Sequence, residues 1–355
     1  MPIRIKNKGE VPDMAISYFM RMVCVALVAA GLIQAALEFA LWAAAKPIFR
    51  LLAPLSARSR ERSLYLIQLT PFLLAVGLTC LVCVPGYVRN ETNLASEAVG
   101  WPCLLLAGGV LAWFASTALR GLRVLVRTAI FSNACKTGGA GTLRAATETP
   151  IVSLPDAGHR VALVGLFHPR IFISTDLLTD GGLSPLALDL VFEHERSHAI
   201  HGDNWKLLSL YCLPRLNLSL TGGGTWLQQW QSAAEWAADD DAVRGDFGRA
   251  LLLAQVLVTF ARRVAGARFP AMVSTPFACG SKGFELRVNR LLELGPGSTP
   301  VTGRALAVED IGRLSAALTL TAMILGGAAA IAALTPWLHD LSEHLLHLWI
   351  TGWPV

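Results

Sequence analysis

Long unbroken apolar runs, rather than alternating apolar and polar positions, set the pattern of this chain. Four of them approach the ~20 residues a bilayer-crossing helix needs. They are Met22 to Ala45, interrupted only by Gln34 and Glu38, then Ser63 to Val88, Ala98 to Leu119, and Leu314 to Leu338. The first is too long, and too poor in a cleavage site, for a removed signal peptide, so it reads as a retained span. Glu38 is costly in lipid and is expected to face the interior of the helix bundle.

Between the third and fourth runs the pattern changes. Arg160 to Val164 and Arg170 to Ser174 are β-rich segments joined through Gly165-Leu166-Phe167-His168-Pro169, the pattern of a hairpin with a longer loop. A helix is expected next. Ser184 is a good N-cap, Pro185 suits the first helical position and Gly202 suits the stop. A second helix is expected from about Trp226 to Arg244, after Gly222-Gly223-Gly224 and before Gly245. The apolar stretch Trp205 to Leu220, broken by Pro214 and Arg215, reads as a membrane-apposed or core helix rather than a fifth span.

Composition strengthens the membrane reading. The 355 residues are 54% hydrophobic and 15% charged, with a mean hydropathy of +0.51; soluble domains carry about 25% charged residues. The net charge of +5 is modest and sits mainly in short loops, which is membrane topology rather than a nucleic-acid footprint. Lys46, Arg50, Arg58, Arg60 and Arg62 follow the first run, and Arg120, Arg123, Arg127, Lys136 and Arg144 follow the third. The positive-inside rule places both segments, and the soluble region after the third run, in the cytoplasm. The seven cysteines decide little; Cys80 and Cys83 form a lone C-x-x-C inside an apolar run.

The chemistry lies on the first soluble helix, in His194-Glu195-Arg196-Ser197-His198. Two histidines one helical turn apart can reach one metal ion, while the intervening Glu195 is rotated away from them and can reach water at the open position. Zinc is the ion this donor set suits, with Glu195 as the general base. A third ligand must come from elsewhere. Glu235 on the second helix is the better placed candidate and His201 the alternative. Asp239, one turn after Glu235, can accept a hydrogen bond from a ligand histidine and fix its tautomer. Asp240 and Asp241 read as a solvated acidic face, and Arg262-Arg263 as a solvated helix end or a conceivable self-cleavage point.

Gly165 to Ile173, Glu193 to His198, Gly202-Asp203-Asn204, Glu235-Trp236-Ala237-Ala238-Asp239 and Arg287 to Leu292 together resemble the peptidase domain of the BlaR/MecR antirepressor family of gluzincin membrane proteases. The resemblance implies zinc on His194, His198 and Glu235, with Glu195 as general base. It also implies a bacterial cytoplasmic-membrane protein that cleaves a cytoplasmic regulatory protein such as a repressor, with no direct nucleic-acid contact. Membrane-protein quality control and a non-catalytic signalling scaffold are the alternatives. β-Lactam sensors of that family carry a penicillin-binding domain after the last span; only Pro336 to Val355 follows here, so any signal is expected through the spans, the outer loops or a membrane sensor partner. The expected fold is an α-helical membrane protein of about four transmembrane helices with an inserted α+β zincin-like domain. Residues 1–122 would form the membrane region, 123–312 the cytoplasmic metallopeptidase domain, and 313–355 the fourth span and tail.

Overall fold

The computed structural model describes residues 10–90, 101–137, 141–143, 149–154, 161–179, 183–216, 218, 220, 225–263, 274–276 and 281–294. The expected fourth span, Leu314 to Leu338, lies outside them. In chain order the helices are α1 (Glu10–Ala43), α2 (Ala45–Leu52), α3 (Ala57–Leu78), α4 (Val84–Asn90), α5 (Trp101–Thr137), α6 (Pro185–His201), α7 (Asp203–Cys212), α8 (Trp226–Val243), α9 (Phe247–Arg263) and α10 (Ser281–Glu293). A π-helical turn, Thr79–Cys83, joins α3 to α4 and contains both members of the C-x-x-C. The strands are β1 (Gly141–Leu143), β2 (Ile151–Leu154), β3 (Val161–Val164), β4 (Arg170–Ser174) and β5 (Ser274–Pro276).

Among the described residues, three stretches are long and apolar enough to cross a membrane: Tyr18–Ala43, Ala57–Arg89 and Trp101–Ala134. Their packing is inverted relative to a water-soluble bundle. Leu32, Leu66, Leu73, Leu81, Leu105 and Leu111 point outward, whereas Gln34, Gln68 and Thr117 are buried. Polar groups that cannot find water must find each other, and here they do. Gln34 donates to the Pro214 carbonyl at 2.7 Å, and Gln68 accepts from Arg215 at 2.7 Å. Glu38 is half-buried and lies 3.4 Å from the Gln34 amide, on the bundle side as its cost in lipid requires. Small residues set the closest approaches: a Cβ on Gly31 would lie 2.4 Å from Val110 of α5, and one on Gly121 would lie 2.2 Å from Cys212 of α7.

Two boundaries differ from the sequence pattern. The second apolar run begins at Ser63, but α3 begins at Ala57, capped by Ser56, so Arg58, Arg60 and Arg62 stand on the helix rather than in a loop. The Trp205 to Leu220 stretch is helical only to Cys212; Leu213 is extended, as the residue before Pro214 prefers, and Arg215 turns in against α3.

At 1.5 Å per residue, the 37 residues of α5 extend about 55 Å, well beyond a hydrocarbon core of ~30 Å. Its far end reaches the sheet, where Phe131 meets Phe172 edge-on. Strand order is β1-β2-β4-β3-β5, antiparallel except for the β2–β4 pair. The β3–β4 hairpin forms as its pattern predicts, with Val161 opposite Ile173 and Gly165 at φ +112° in the connecting loop. Both faces of the sheet are covered, so the strands read as continuous apolar runs. Val161, Leu163, Ile171 and Ile173 pack on α6 and α9, while Val152, Ala162, Val164 and Phe172 lie with Phe131.

Helix α8 joins the two halves. Trp226, Trp230, Ala233 and Ala234 pack with α2, α3 and α7, whereas Ala242 and Val243 belong to the core under the sheet. The first half of the chain is thus bolted to the second through α3 and α8. Gly31→Leu should separate α1 from α5, at a cost of about 1–3 kcal/mol for overpacking a close contact. Thermal unfolding in detergent reads this as a lowered Tm, and an unchanged Tm would show that the α1–α5 approach is not tight.

Candidate metal centre

Helix α6 is held as its punctuation predicts. Ser184 accepts from the Ala187 amide, Pro185 occupies the first turn, and Gly202 adopts the left-handed conformation at φ +66°. A Cβ is disfavoured there, and the reversal lets α7 start at once. Helix α8 opens on a reciprocal capping box between Thr225 and Gln228. The alanines on α8 (Ala233, Ala234, Ala237, Ala238) are all buried, which lets the helix lie close to its neighbours and brings Glu235 and Asp239 onto the motif histidines.

His194, His198 and Glu235 each present a ligand atom, and these atoms lie within 4.8 Å of one another in a buried group that could hold a metal ion. The Nε2 atoms of the two histidines are 3.2 Å apart, and Glu235 carboxylate oxygens lie 3.4 Å from His194 Nε2 and 3.7 Å from His198 Nε2. The opposite ring nitrogens face carboxylates. His194 Nδ1 is 3.0 Å from Asp239, and His198 Nδ1 is 2.8 Å from Asp203. Each carboxylate fixes one nitrogen and leaves Nε2 directed into the cluster, the arrangement that orients metal-ligating histidines. His201 lies outside this group, partly exposed, with Nε2 3.3 Å from Asp241.

Glu195 is fully buried beside the cluster, and its carboxylate oxygens have no side-chain hydrogen-bond partner among the described residues, only the Leu163 backbone acting on them. Burial pushes its pKa up to about 7, against the pull of His194 and His198. A buried, poised carboxylate next to two imidazoles and a second carboxylate fits a cation and a water better than it fits a packed core. His194 is affected in the opposite sense. Burial opposes its charged form, but the hydrogen bonds to Asp239 and Glu235 outweigh it and raise the pKa to about 9. A bound cation would compete with that proton for the ring.

The residue that sequence reasoning assigned no role is Arg287. It is 3% exposed, and its guanidinium donates to Asp239 at 2.8 and 2.6 Å and to Glu235 at 2.8 Å. Burial would raise the pKa of both carboxylates, but this cation holds Asp239 and Glu235 below the ordinary range. Its signal in the sequence is faint: a basic residue on an amphipathic segment far from the motif. Asp203 was also missed in this role, though it lies only five residues past His198. Burial opposes its ionisation, and the hydrogen bond from His198 together with Lys206 brings its pKa down to about 2.

The acidic end of α8 is not a plain solvated face. Asp240 pairs with Arg290 at 2.7 Å, and Asp241 accepts from Arg58 at 2.7 Å and from Ser197 at 2.6 Å. Arg60 stacks over Trp236 at 5.3 Å. Glu193, one residue before the motif, pairs with Arg244 and Arg249 and so clamps α6 to the α8–α9 corner.

Compared with protein-family profiles, characterised proteins and solved structures, the chain matches none. The candidate metal centre therefore stands on its own geometry.

Replacing Arg287 by Met would leave two adjacent buried carboxylates without their cation, at a cost of about 3–5 kcal/mol. The chelator-treated variant should melt well below the chelator-treated wild type, and added divalent metal should recover part of the loss. Equal melting of the two chelated proteins would mean that Arg287 does not compensate the pair.

Proposed function

We propose that this chain is an integral membrane zinc metalloendopeptidase. The observation that carries the reading is the convergence of His194, His198 and Glu235 beside a buried Glu195 that has no side-chain hydrogen-bond partner among the described residues. Two imidazoles and one carboxylate are a donor set that suits catalytic zinc and leaves a position open. Zinc held there would polarise a carbonyl and acidify water beside it. The protein's own residues supply the rest. Asp239 and Asp203 hold the two rings in the tautomer that presents Nε2. Glu195 takes the proton of the attacking water at its carboxylate and passes it to the departing amine. A carboxylate with a pKa near 7 is matched to both tasks.

The inverted polarity of the three candidate spans supports a membrane location. The arginines at the start of α3 and along α5 favour a cytoplasmic position for the metal-centre half. The motif resemblance favours a regulatory protein, such as a repressor, as substrate. Quality control of membrane proteins is the second enzymatic reading. It draws on the same feature, a site whose flanking helix α8 packs directly on a candidate span.

Glu195→Gln should keep the metal and lose casein cleavage by about 10²–10⁴-fold, the usual contribution of a general base. Metal content by mass spectrometry and peptide release together test this; a variant as active as the wild type would sink the mechanism. Activity should also rise with pH as Glu195 loses its proton. The base is active only when ionised, burial puts its pKa near 7, and a nearby cation lowers it. The acid limb of kcat/KM therefore belongs at or below about pH 7. A limb well above 7 that persists in Glu195→Asp would assign it to another group.

A further inference from the structure

Glu61 is fully buried on α3, within a stretch long and apolar enough to cross a membrane, and it bonds to side chains of α7 and α8. Its Oε1 accepts from the Trp230 indole at 2.9 Å and from Lys206 Nζ at 2.9 Å. The same ammonium donates to Asp203 Oδ1 at 2.9 Å. Asp203 Oδ2 in turn lies 2.8 Å from His198 Nδ1, the ring nitrogen turned away from the metal centre. An unbroken chain of charged contacts thus runs from the helix, through Lys206 and Asp203, to a histidine of the candidate site.

We propose that Glu61 is a positioning residue for the metal centre, acting through Lys206 and Asp203 on the orientation and basicity of His198. Lys206 is drawn equally short to two buried carboxylates. Without the Glu61 carboxylate, the ammonium rests on Asp203 alone, draws electron density from it, and weakens the acceptor that holds the His198 ring. A shift of α3 relative to α7 would have the same effect. Arg58, one turn before Glu61, adds a second tie by donating to Ser197 within the motif and to Asp241 on α8. The metal centre is therefore sensitive to where this one helix stands. This rests on the metal-site reading above, and the experiment separates the two.

The full chain in detergent micelles is titrated with zinc against a competing chelator, and the cobalt-substituted protein is read by its d–d absorption. Glu61→Gln should weaken zinc binding about tenfold and shift the cobalt bands. In an Asp203→Asn background, where the relay is already cut, the same substitution should change little. An equal loss in both backgrounds, or no loss in either, overturns the proposal, because charge or packing alone would be additive. Should Glu61→Gln fail to fold, Lys206→Met on the partly exposed side of α7 reads the same path. With the ammonium gone Asp203 becomes the stronger acceptor, so the relay predicts tighter zinc binding that disappears in the Asp203→Asn background. An equal gain in both backgrounds, as bare loss of a cation would give, or no gain in either, overturns the proposal. A wild-type protein that binds neither metal would overturn the metal-site reading and this proposal with it.

Discussion

Burying ionised groups is expensive, and the centre of this molecule buries many at once. Glu235, Asp239, Asp203, Glu195 and both motif histidines are almost wholly removed from water. Such a cluster persists only when each charge meets a partner. Arg287 meets two of the carboxylates, Lys206 meets a third, and the histidine rings bridge between them. Four separate elements, α6, α7, α8 and α10, must stand in register for these pairs to form. The sheet, the alanine face of α8 and the caps of α6 can be understood as the scaffold that keeps that register. Glu195 is the exception, a buried carboxylate with no charged or side-chain donor bonded to it among the described residues, and local violations of this kind are expected at functional or strained sites.

The first half of the chain solves a different problem by the same rule. Its helices turn leucines outward and draw Gln34, Gln68 and Arg215 inward, where each finds a partner. In water this would be unstable; in hydrocarbon it is the favoured arrangement. The two halves meet where the rules overlap. At the start of α3, Arg58 and Arg60 reach Asp241 and Trp236 of α8, so residues whose charge reads as membrane topology also serve as docking groups.

How much of this was legible beforehand depends on range. The α6 helix, its cap, its stop and the β3–β4 hairpin follow from local signals, and local signals act within a few residues. Glu235 and Asp239 could be paired with the motif because their four-residue spacing marks one helix face. Arg287 and Glu61 could not, since nothing near them in sequence indicates a carboxylate or an ammonium far away along the chain. Asp203 was hidden for a subtler reason. Only the left-handed turn at Gly202 reverses the chain and returns its side chain to His198. Helix boundaries at Ala57 and Cys212 were misplaced because hydropathy marks where lipid begins, not where hydrogen bonding begins or ends.

Lys206 shows why the coupling between halves is a matter of chemistry and not of contact alone. An arginine there would present a wide planar fork, whereas a lysine offers a compact charge that two carboxylates can share at equal distance. Glu61 also accepts the indole of Trp230, which anchors α8 within the same apolar cluster that holds α2 and α7. One carboxylate on α3 thus fixes the helix carrying Glu235 on one side and the residue orienting His198 on the other. Any displacement of α3 must disturb both supports together, since both rest on the same Glu61 oxygen. A helix long and apolar enough to cross a membrane is, by this geometry, also a support for the candidate metal centre.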